Sequence, residues 1–327
     1  MKNIFFLILV TIVTIYFVAC SKIEKGFLSE NVAYKDKNIL CKRGLILVQS
    51  DKINADGSTP PFTFKMKNLR KQDGSPAPEE FNKEYEILVF KKETPFNAET
   101  DTTVALLNAK RELIKVKPME FNEVSGQLSF NKGSANLPIG IYPFDVEMTN
   151  VHGTKLLPSI GQINVQDPQG DDLFQVYSVA AAVFLDGTNT SFTIKNPRIT
   201  CTKQSNQGAR AIMKIVDKNG RPFNPKAGEV VQRGDRPRFE NYAKFNPVIT
   251  TDTALICDFE VAPFPLAKYV DATTDWGHLM YYRIPSTYVN IDGYAAGQYS
   301  ANPRWDYQLK LEGTYVIEVR LTDAVHR

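Results

Sequence analysis

The chain has 327 residues, more than one β-sandwich of roughly 100 residues needs, so we expect two compact domains. Its hydrophobic fraction of 43% and charged fraction of 23% are near the globular averages and exclude a wholly disordered or fibrous chain. The formal net charge of +3, from 39 basic and 36 acidic residues, gives no support for binding to nucleic-acid phosphates, so we predict no nucleic-acid partner.

The N-terminal segment has the pattern of an export signal. Residues Ile4 to Ala19 are uncharged and mostly apolar, and Cys20 follows directly. The run is slightly shorter than the roughly 20 apolar residues that a membrane-spanning helix needs. The small Ala19 before Cys20 fits a signal-peptidase site. We therefore predict a signal peptide over residues 1–19 and a lipid on Cys20 that holds the mature protein on a membrane; an uncleaved helical anchor is the alternative.

Alternating apolar and polar residues, typical of half-buried antiparallel strands, recur in both halves of the chain. We predict a polar spacer over residues 20–43, a first domain over 44–166 and a second domain over 173–327. The segment 167–172 carries Pro and Gly and is predicted to be the linker. Residues 101–115 fit neither the helical nor the strand period. A short helix from Thr102 to Ile114, packed on the first domain, is one open interpretation of this segment.

Two segments match without gaps near the end of each half. The segment Gly140 to Asn150 aligns with Gly313 to Asp323, which gives Tyr142 and Tyr315 equivalent positions. A Gly-x-Tyr sequence entering a late strand resembles the tyrosine corner of immunoglobulin-like sandwiches. The fold expected is all-β, with two tandem immunoglobulin-like β-sandwich domains. The alternative is a coincidental pair of amphipathic strands.

The second half is longer between its matched landmarks, and we assign the surplus to an insertion over residues 263–307. This segment lacks sustained alternation and holds both tryptophans of the chain and seven of its fourteen tyrosines. The rings either form a core for the insertion itself or a platform for a sugar or a protein partner. The predicted ligand-binding residues are Trp276, Tyr281, Tyr282, Tyr294, Tyr299 and Trp305.

The residues that carry chemistry are few. Cys201 and Cys257 share the inward parity of their strands, and an exported location permits a disulfide between them, although two buried thiols explain the pattern equally well. His278 and the nearby carboxylates form no recognised metal or catalytic motif. We predict no catalytic residues, no metal site and no cofactor.

The segment from Cys20 to Phe27, the tandem halves and the aromatic insertion together resemble surface lipoproteins of Bacteroidetes. Such lipoproteins accompany the paired transporter and capture proteins of starch-utilisation-type glycan uptake. The resemblance implies a non-catalytic glycan-binding lipoprotein at the outer membrane, with a transporter or capture protein as partner. An adhesion or assembly role and, less favoured, a glycan-active enzyme are the alternatives. Only Glu24 is acidic in this segment, so attachment facing the periplasm also stays open.

Overall fold

The structure is a computed structural model that describes residues 26–327. Strands make up 46% of the protein and helix 7%, which confirms the prediction of an all-β fold. The predicted signal peptide 1–19 and the lipid-attachment residue Cys20 lie outside the described residues. Among the residues that are described, no helix has the length and apolar character needed to cross a membrane.

The strands range in length from two to 14 residues. In chain order the first nine are β1 Asn38–Lys42, β2 Leu47–Gln49, β3 Phe62–Lys67, β4 Tyr85–Phe90, β5 Arg111–Val116, β6 Met119–Phe121, β7 Leu128–Asn131, β8 Gly140–Asn150 and β9 Gly153–Gln166. The others are β10 Phe174–Leu185, β11 Ser191–Ile194, β12 Arg198–Ser205, β13 Ala209–Val216, β14 Val231–Gln232, β15 Ile249–Thr250, β16 Leu255–Asp258, β17 Tyr269–Val270, β18 Asp275–Gly277, β19 Leu279–Arg283, β20 Val289–Ile291, β21 Tyr299–Leu309, β22 Gly313–Arg320 and β23 Ala324–His326. The α-helices are α1 Val104–Ala109 and α2 Phe239–Tyr242, and single 3₁₀ turns cover Glu79–Phe81, Lys132–Asn136 and Gly170–Asp172.

The chain divides into two compact units at the predicted linker. The first unit runs to Ile87 and continues over Lys115–Asp167, and the second comprises Leu88–Ile114 and Pro168–Arg327. The segment Leu88–Ile114 therefore groups with the second unit, whereas the predicted boundaries 44–166 put it in the first.

Contacts within the second unit explain this grouping. Arg111 Nη1 donates to the Glu260 carbonyl at 3.0 Å, and the rings of Phe96 and Phe245 meet edge-on with centroids 6.4 Å apart. Helix α1 is only six residues long, and the Thr103 hydroxyl caps it by accepting from the Leu106 amide. The helix left open in the sequence is thus shorter than Thr102 to Ile114 and belongs to the other unit.

The first unit contains a four-stranded sheet in the order β1-β9-β8-β3 and a three-stranded sheet in the order β2-β7-β6. Strand β1 pairs in parallel with β9, and its alternation buries Ile39 and Cys41. Tyr34 is also buried, against the ring of Phe144. The predicted spacer over residues 20–43 is therefore wrong in its second half, because these residues complete the sheet and the core.

The second unit contains two five-stranded sheets, ordered β11-β10-β21-β19-β14 and β12-β22-β13-β16-β15. Inward side chains of both sheets, including Val183 and Trp305 from one and Met213 and Ile317 from the other, share one hydrophobic core.

Strand β19 lies inside the segment 263–307 and β21 begins in it, and both occupy central positions of the first of these sheets. The interpretation of the whole segment as an insertion is therefore wrong, because part of it supplies strands of the main sheet. Pro303 lies within β21, and because proline is rare in central strands, the sequence of this segment argues against a strand there.

The internal match holds locally but not in strand pairing. The Tyr142 hydroxyl donates to the Pro138 carbonyl at 3.0 Å, and the Tyr315 hydroxyl donates to the Glu312 carbonyl at 3.4 Å. Strand β3, however, pairs antiparallel with β8, whereas β13 pairs parallel with β22. The matched tyrosines thus make similar backbone contacts in strands with different neighbours.

Cys201 and Cys257 do not form the disulfide that the sequence permitted. Both are free thiols, on β12 and β16 respectively. Two strands, β22 and β13, lie between them in the same sheet, which separates the cysteines by about 14 Å at roughly 4.8 Å per strand. A disulfide needs Cα atoms within about 7 Å, so the arrangement forbids one.

An arginine-lined groove as the candidate functional site

The six predicted ligand-binding residues lie in three different places. Trp305 and Tyr282 are fully buried, and their rings stack with centroids 5.6 Å apart and an interplanar angle of 18°. Alternation along β21 and β19 turns both side chains to the inner face of the sheet. Neither can touch a ligand at the surface, so their assignment as ligand-binding residues is wrong.

Tyr294 and Tyr299 form a separate cluster with Phe192. The two tyrosine rings have centroids 4.9 Å apart, and Phe192 lies 6.0 Å from Tyr294. Both tyrosines are half-buried and pack against the hydrophobic core of the second unit. Their main contacts are therefore structural.

Trp276 and Tyr281 meet each other near a groove on the outer face of the first sheet of this unit. Their rings are perpendicular, with centroids 6.2 Å apart. Trp276 is half-buried and donates its indole N–H to Asp271 at 2.6 Å. This hydrogen bond has the largest effect among the contacts that lower the pKa of Asp271 to about 2. Tyr281 is only 9% exposed, because other side chains cover its ring.

The groove consists of two adjoining hollows within the second unit. Their volumes are about 280 and 560 Å³, and both are lined by Phe184, Arg233 and Asn302. The larger volume falls within the range of about 300–1,000 Å³ that ligand pockets commonly have. We call this feature the arginine groove and define it by the residues Phe184, Arg233, Arg236, Tyr281, Arg283 and Arg304.

The sheet register explains the floor of the arginine groove. Ala180 of β10 is paired with Arg304 of β21, which is paired in turn with Tyr281 of β19. Successive side chains of a strand point to opposite faces, so Ala180, Ala182 and Phe184 share the outer face. The two alanines leave space between the larger side chains of the neighbouring strands.

The turn after β14 supplies two of the arginines. The Arg236 amide donates to the Arg233 carbonyl at 3.1 Å, and the side chain of Gln232 donates to the Arg236 carbonyl at 2.8 Å. Gly234 lies between the two arginines at a φ of +57°, a left-handed conformation that favours glycine. The turn therefore holds both arginine backbones at the edge of the groove.

Aromatic rings hold three of the arginines in position. The guanidinium carbon of Arg233 lies 4.6 Å from the centroid of the Phe184 ring and 5.6 Å from that of Tyr281. Arg304 is also 5.6 Å from the Tyr281 centroid and donates to the Tyr281 hydroxyl at 2.5 Å. Arg236 lies 4.8 Å from the Trp276 centroid. The rings near the groove are thus covered by guanidinium groups, an arrangement that cation–π attraction stabilises.

The charges of the arginine groove are unbalanced. Arg283 donates to Asp186 at 2.6 Å, and Arg236 lies 3.9 Å from the exposed Asp235. Over residues 26–327, neither Arg233 nor Arg304 forms an ion pair with a carboxylate within 4.0 Å. Four arginines therefore face two aspartates.

Burial and like charge both act on Arg233. Burial is the largest cause that lowers the pKa of Arg233, and the positive charges of Arg236, Arg304 and Arg283 lower it further. The surroundings of Arg233 therefore favour the binding of an anion, because a negative charge would offset the repulsion among the guanidinium groups.

Sequence reasoning found Trp276 and Tyr281 but missed the arginines. A signal for them was present, because Arg233, Arg236 and Arg238 stand within six residues of one another. Arg304 and Phe184 carry no such signal, since only the pairing of β10 with β21 brings them to the same face.

The arrangement is suited to binding an anionic or strongly hydrogen-bonding group. In the part of the chain that the structure describes, no three metal-binding side chains stand close enough to hold an ion. Searches against known proteins found no family model that matches the chain and no curated protein that matches it.

Proposed function

We propose that the protein is a lipid-anchored, non-catalytic binding module that captures a glycan in the arginine groove at the outer membrane. The observation that carries the proposal is Arg233, whose guanidinium is held over Phe184 at a groove and makes no side-chain hydrogen bond within residues 26–327. Five N–H donors in a fixed planar group are available there to the oxygens of a ligand.

The surroundings of Arg233 favour binding over chemistry. The two carboxylates that line the groove, Asp186 and Asp235, each lie within 4.0 Å of an arginine. A glycoside hydrolase needs one carboxyl group that stays protonated and a second placed across the scissile bond. Asp186 and Asp235 are the only carboxylates among the described residues that line the groove, and the arginines beside them leave no free carboxyl pair for that role.

The anchor is the second part of the proposal. The apolar run before Cys20 and the small Ala19 support cleavage and lipidation at this cysteine. More than one acyl chain is needed for stable attachment, since a single chain binds a membrane only marginally. We propose attachment to the outer membrane, with the cell surface as the main site and the periplasmic face as the alternative.

We also propose that both units are immunoglobulin-like sandwiches. The hydrogen bonds from Tyr142 and Tyr315 to carbonyl groups a few residues upstream support this, because a tyrosine corner makes the same kind of bond. The different pairing of β3 and β13 makes the two units variants rather than copies of one topology.

The second candidate function is assembly with a protein, including a transporter or a capture protein. Strand β2 is an edge strand of its sheet, and Ile46 and Leu47 beside and within it are 56% and 58% exposed. An exposed edge strand with apolar side chains is a ready site for addition of a partner strand. This surface lies in the first unit and does not involve the arginine groove.

Binding to immobilised glycans tests the groove. The Cys20→Ser protein, purified from the soluble fraction, is applied to a panel of immobilised polysaccharides, together with its Arg233→Met derivative. Arg198→Met is the matched control, because Arg198 is exposed on β12 and lies outside the groove. We expect retention on at least one polysaccharide that Arg233→Met weakens and Arg198→Met does not. Absence of any retention on the panel, or equal retention of all variants, would reject the groove as a glycan site.

Membrane fractionation tests the anchor. The wild-type protein should partition with membranes and into detergent, and Cys20→Ser should release it. An intact N-terminus at Met1, or unchanged membrane association of Cys20→Ser, would contradict lipidation.

A further inference from the structure

We infer that the ligand of the arginine groove is an acidic saccharide, whose carboxylate or sulfate group binds between Arg233 and Arg304. The inference rests on the proposed glycan-binding function and adds the chemical class of the glycan. It follows from the convergence of two guanidinium groups without carboxylate partners on one aromatic ring.

The two guanidinium groups lie at the same distance from Tyr281. Each guanidinium carbon is 5.6 Å from the centroid of that ring, and both side chains line the same hollow of about 280 Å³. The positive charge of Arg304 acts on Arg233, and two like charges in one hollow repel each other unless an anion or solvent screens them. An anion bound between them would interact favourably with both.

The hydrogen-bonding capacity of these arginines is largely unused. Arg304 donates one N–H to the Tyr281 hydroxyl, and Arg233 makes no side-chain hydrogen bond to any residue from 26 to 327. The nitrogen atoms of Arg233 also remain open to solvent, since they are not among the buried polar atoms that lack a partner. A planar fork of free donors matches the paired oxygens of a carboxylate or a sulfate.

The aromatic rings have a supporting role in this arrangement. Phe184 and Tyr281 contact arginines, and Tyr281 is only 9% exposed. A neutral sugar that stacks on an open ring face therefore finds little ring surface in the groove. The rings instead restrict the guanidinium groups before the ligand arrives, which reduces the entropy lost on binding.

The class of ligand is tested with matched pairs of polysaccharides. Polygalacturonate is compared with its fully methyl-esterified form, and dextran sulfate is compared with dextran, so that the members of each pair share a backbone and differ at the charged group. Polyglutamate, an acidic polypeptide, serves as the non-saccharide polyanion. Binding to each probe is measured by calorimetry at two salt concentrations, because interactions of exposed charges weaken as salt rises.

The variants separate charge from shape. Arg233→Met and Arg304→Met remove the charge and keep most of the side-chain length. Arg233→Lys keeps the charge and removes the planar fork, and Arg198→Met is the control outside the groove. Thermal unfolding of each variant confirms that the fold is retained.

We expect binding to at least one acidic polysaccharide and little binding to its neutral counterpart. A hydrogen bond to a charged group contributes more free energy than a bond between neutral groups. Arg233→Met and Arg304→Met should therefore each weaken the affinity about tenfold or more. Arg233→Lys should recover part of the loss, and Arg198→Met should change the affinity less than about twofold.

Three other outcomes would each contradict a different part of the proposal. Equal binding of acidic and neutral members of a pair, with the loss in Arg233→Met the same for both, would overturn the acidic class and leave glycan binding in place. Binding of polyglutamate as tight as that of any polysaccharide, with the same dependence on Arg233, would overturn the glycan and indicate an acidic protein partner. Binding that the groove variants leave unchanged would overturn both.

Discussion

Trp305 stacks on Tyr282 with ring centroids 5.6 Å apart and both rings fully buried. The pair joins β21 to β19 on the inner face of the sheet and faces the second sheet across the core. Two of the most conspicuous aromatic residues of the chain therefore stabilise the second unit. The surface opposite this pair carries the arginine groove.

The burial of this pair leads to a prediction for stability. Trp305→Ala should lower the free energy of unfolding of the second unit by about 3–5 kcal/mol, because it removes a large buried ring and leaves a cavity. Trp276→Ala should cost less than Trp305→Ala, since the ring is half-buried at the surface and its removal leaves no closed cavity. Urea denaturation followed by circular dichroism measures both changes. A larger loss for Trp276→Ala than for Trp305→Ala would contradict the assigned locations.

The two corner tyrosines give a second prediction. Tyr142→Phe should destabilise the first unit by about 1 kcal/mol, the usual contribution of one intramolecular hydrogen bond. Tyr315→Phe should cost less, because its bond to Glu312 is 3.4 Å long against 3.0 Å for the bond from Tyr142 to Pro138. Denaturation of each variant beside the wild type measures the difference. An equal or larger loss for Tyr315→Phe would show that bond length does not rank these contacts.

Period-two alternation was sufficient to predict the all-β fold class, and the Pro and Gly residues of segment 167–172 predicted the boundary near Asp167. The gapless match between the two halves identified Tyr142 and Tyr315, because a glycine two residues before an inward tyrosine is a local signal. Strand pairing could not be read in the same way. Whether β13 runs parallel or antiparallel to β22 depends on contacts between residues about a hundred positions apart, and no local pattern encodes this.

The candidate site was missed for a related reason. Phe184, Arg233, Tyr281 and Arg304 come from three strands and one turn that are distant along the chain, and only sheet register brings them together. The many aromatic residues of segment 263–307 predicted a binding surface there. The number of rings in a segment, however, does not tell which face of a strand each ring occupies. The arginines, which were overlooked, carry the unbalanced charge of the groove.

The three described cysteines are predicted to be slow to react. Burial raises the pKa of Cys41, Cys201 and Cys257 to about 12 each, so few thiolates exist at neutral pH. In the Cys20→Ser protein, iodoacetamide should label few thiols under native conditions and all three after unfolding, as counted by mass spectrometry. Gel mobility should be the same with and without reductant. A shift in mobility on reduction, or one labelled cysteine in the unfolded protein, would indicate a disulfide.

Asp217 is predicted to make the stability of the second unit sensitive to acid. Burial acts to raise its pKa, but backbone amides of His326, Arg221 and Asn219 donate to the carboxylate and outweigh burial, so the pKa is lowered. A lowered folded-state pKa contributes stability that is present above the unfolded value of about 3.9 and is lost as pH falls through the folded value. The loss should therefore occur below about pH 4.

The variant Asp217→Asn tests this assignment, because it keeps one acceptor oxygen and removes the charge. We expect it to lower the free energy of unfolding at neutral pH by about 1.5–3 kcal/mol, the range for hydrogen bonds to charged groups. It should also reduce the loss of stability below about pH 4, where the wild-type carboxylate becomes protonated. Asp252→Asn is the control, since its side chain is 73% exposed and should change stability by less than about 0.5 kcal/mol. Urea denaturation across this pH range measures both variants. If Asp217→Asn kept the full acid dependence of the wild type, the dependence would have to arise from other carboxylates, including Asp145 of the first unit, whose pKa is also lowered.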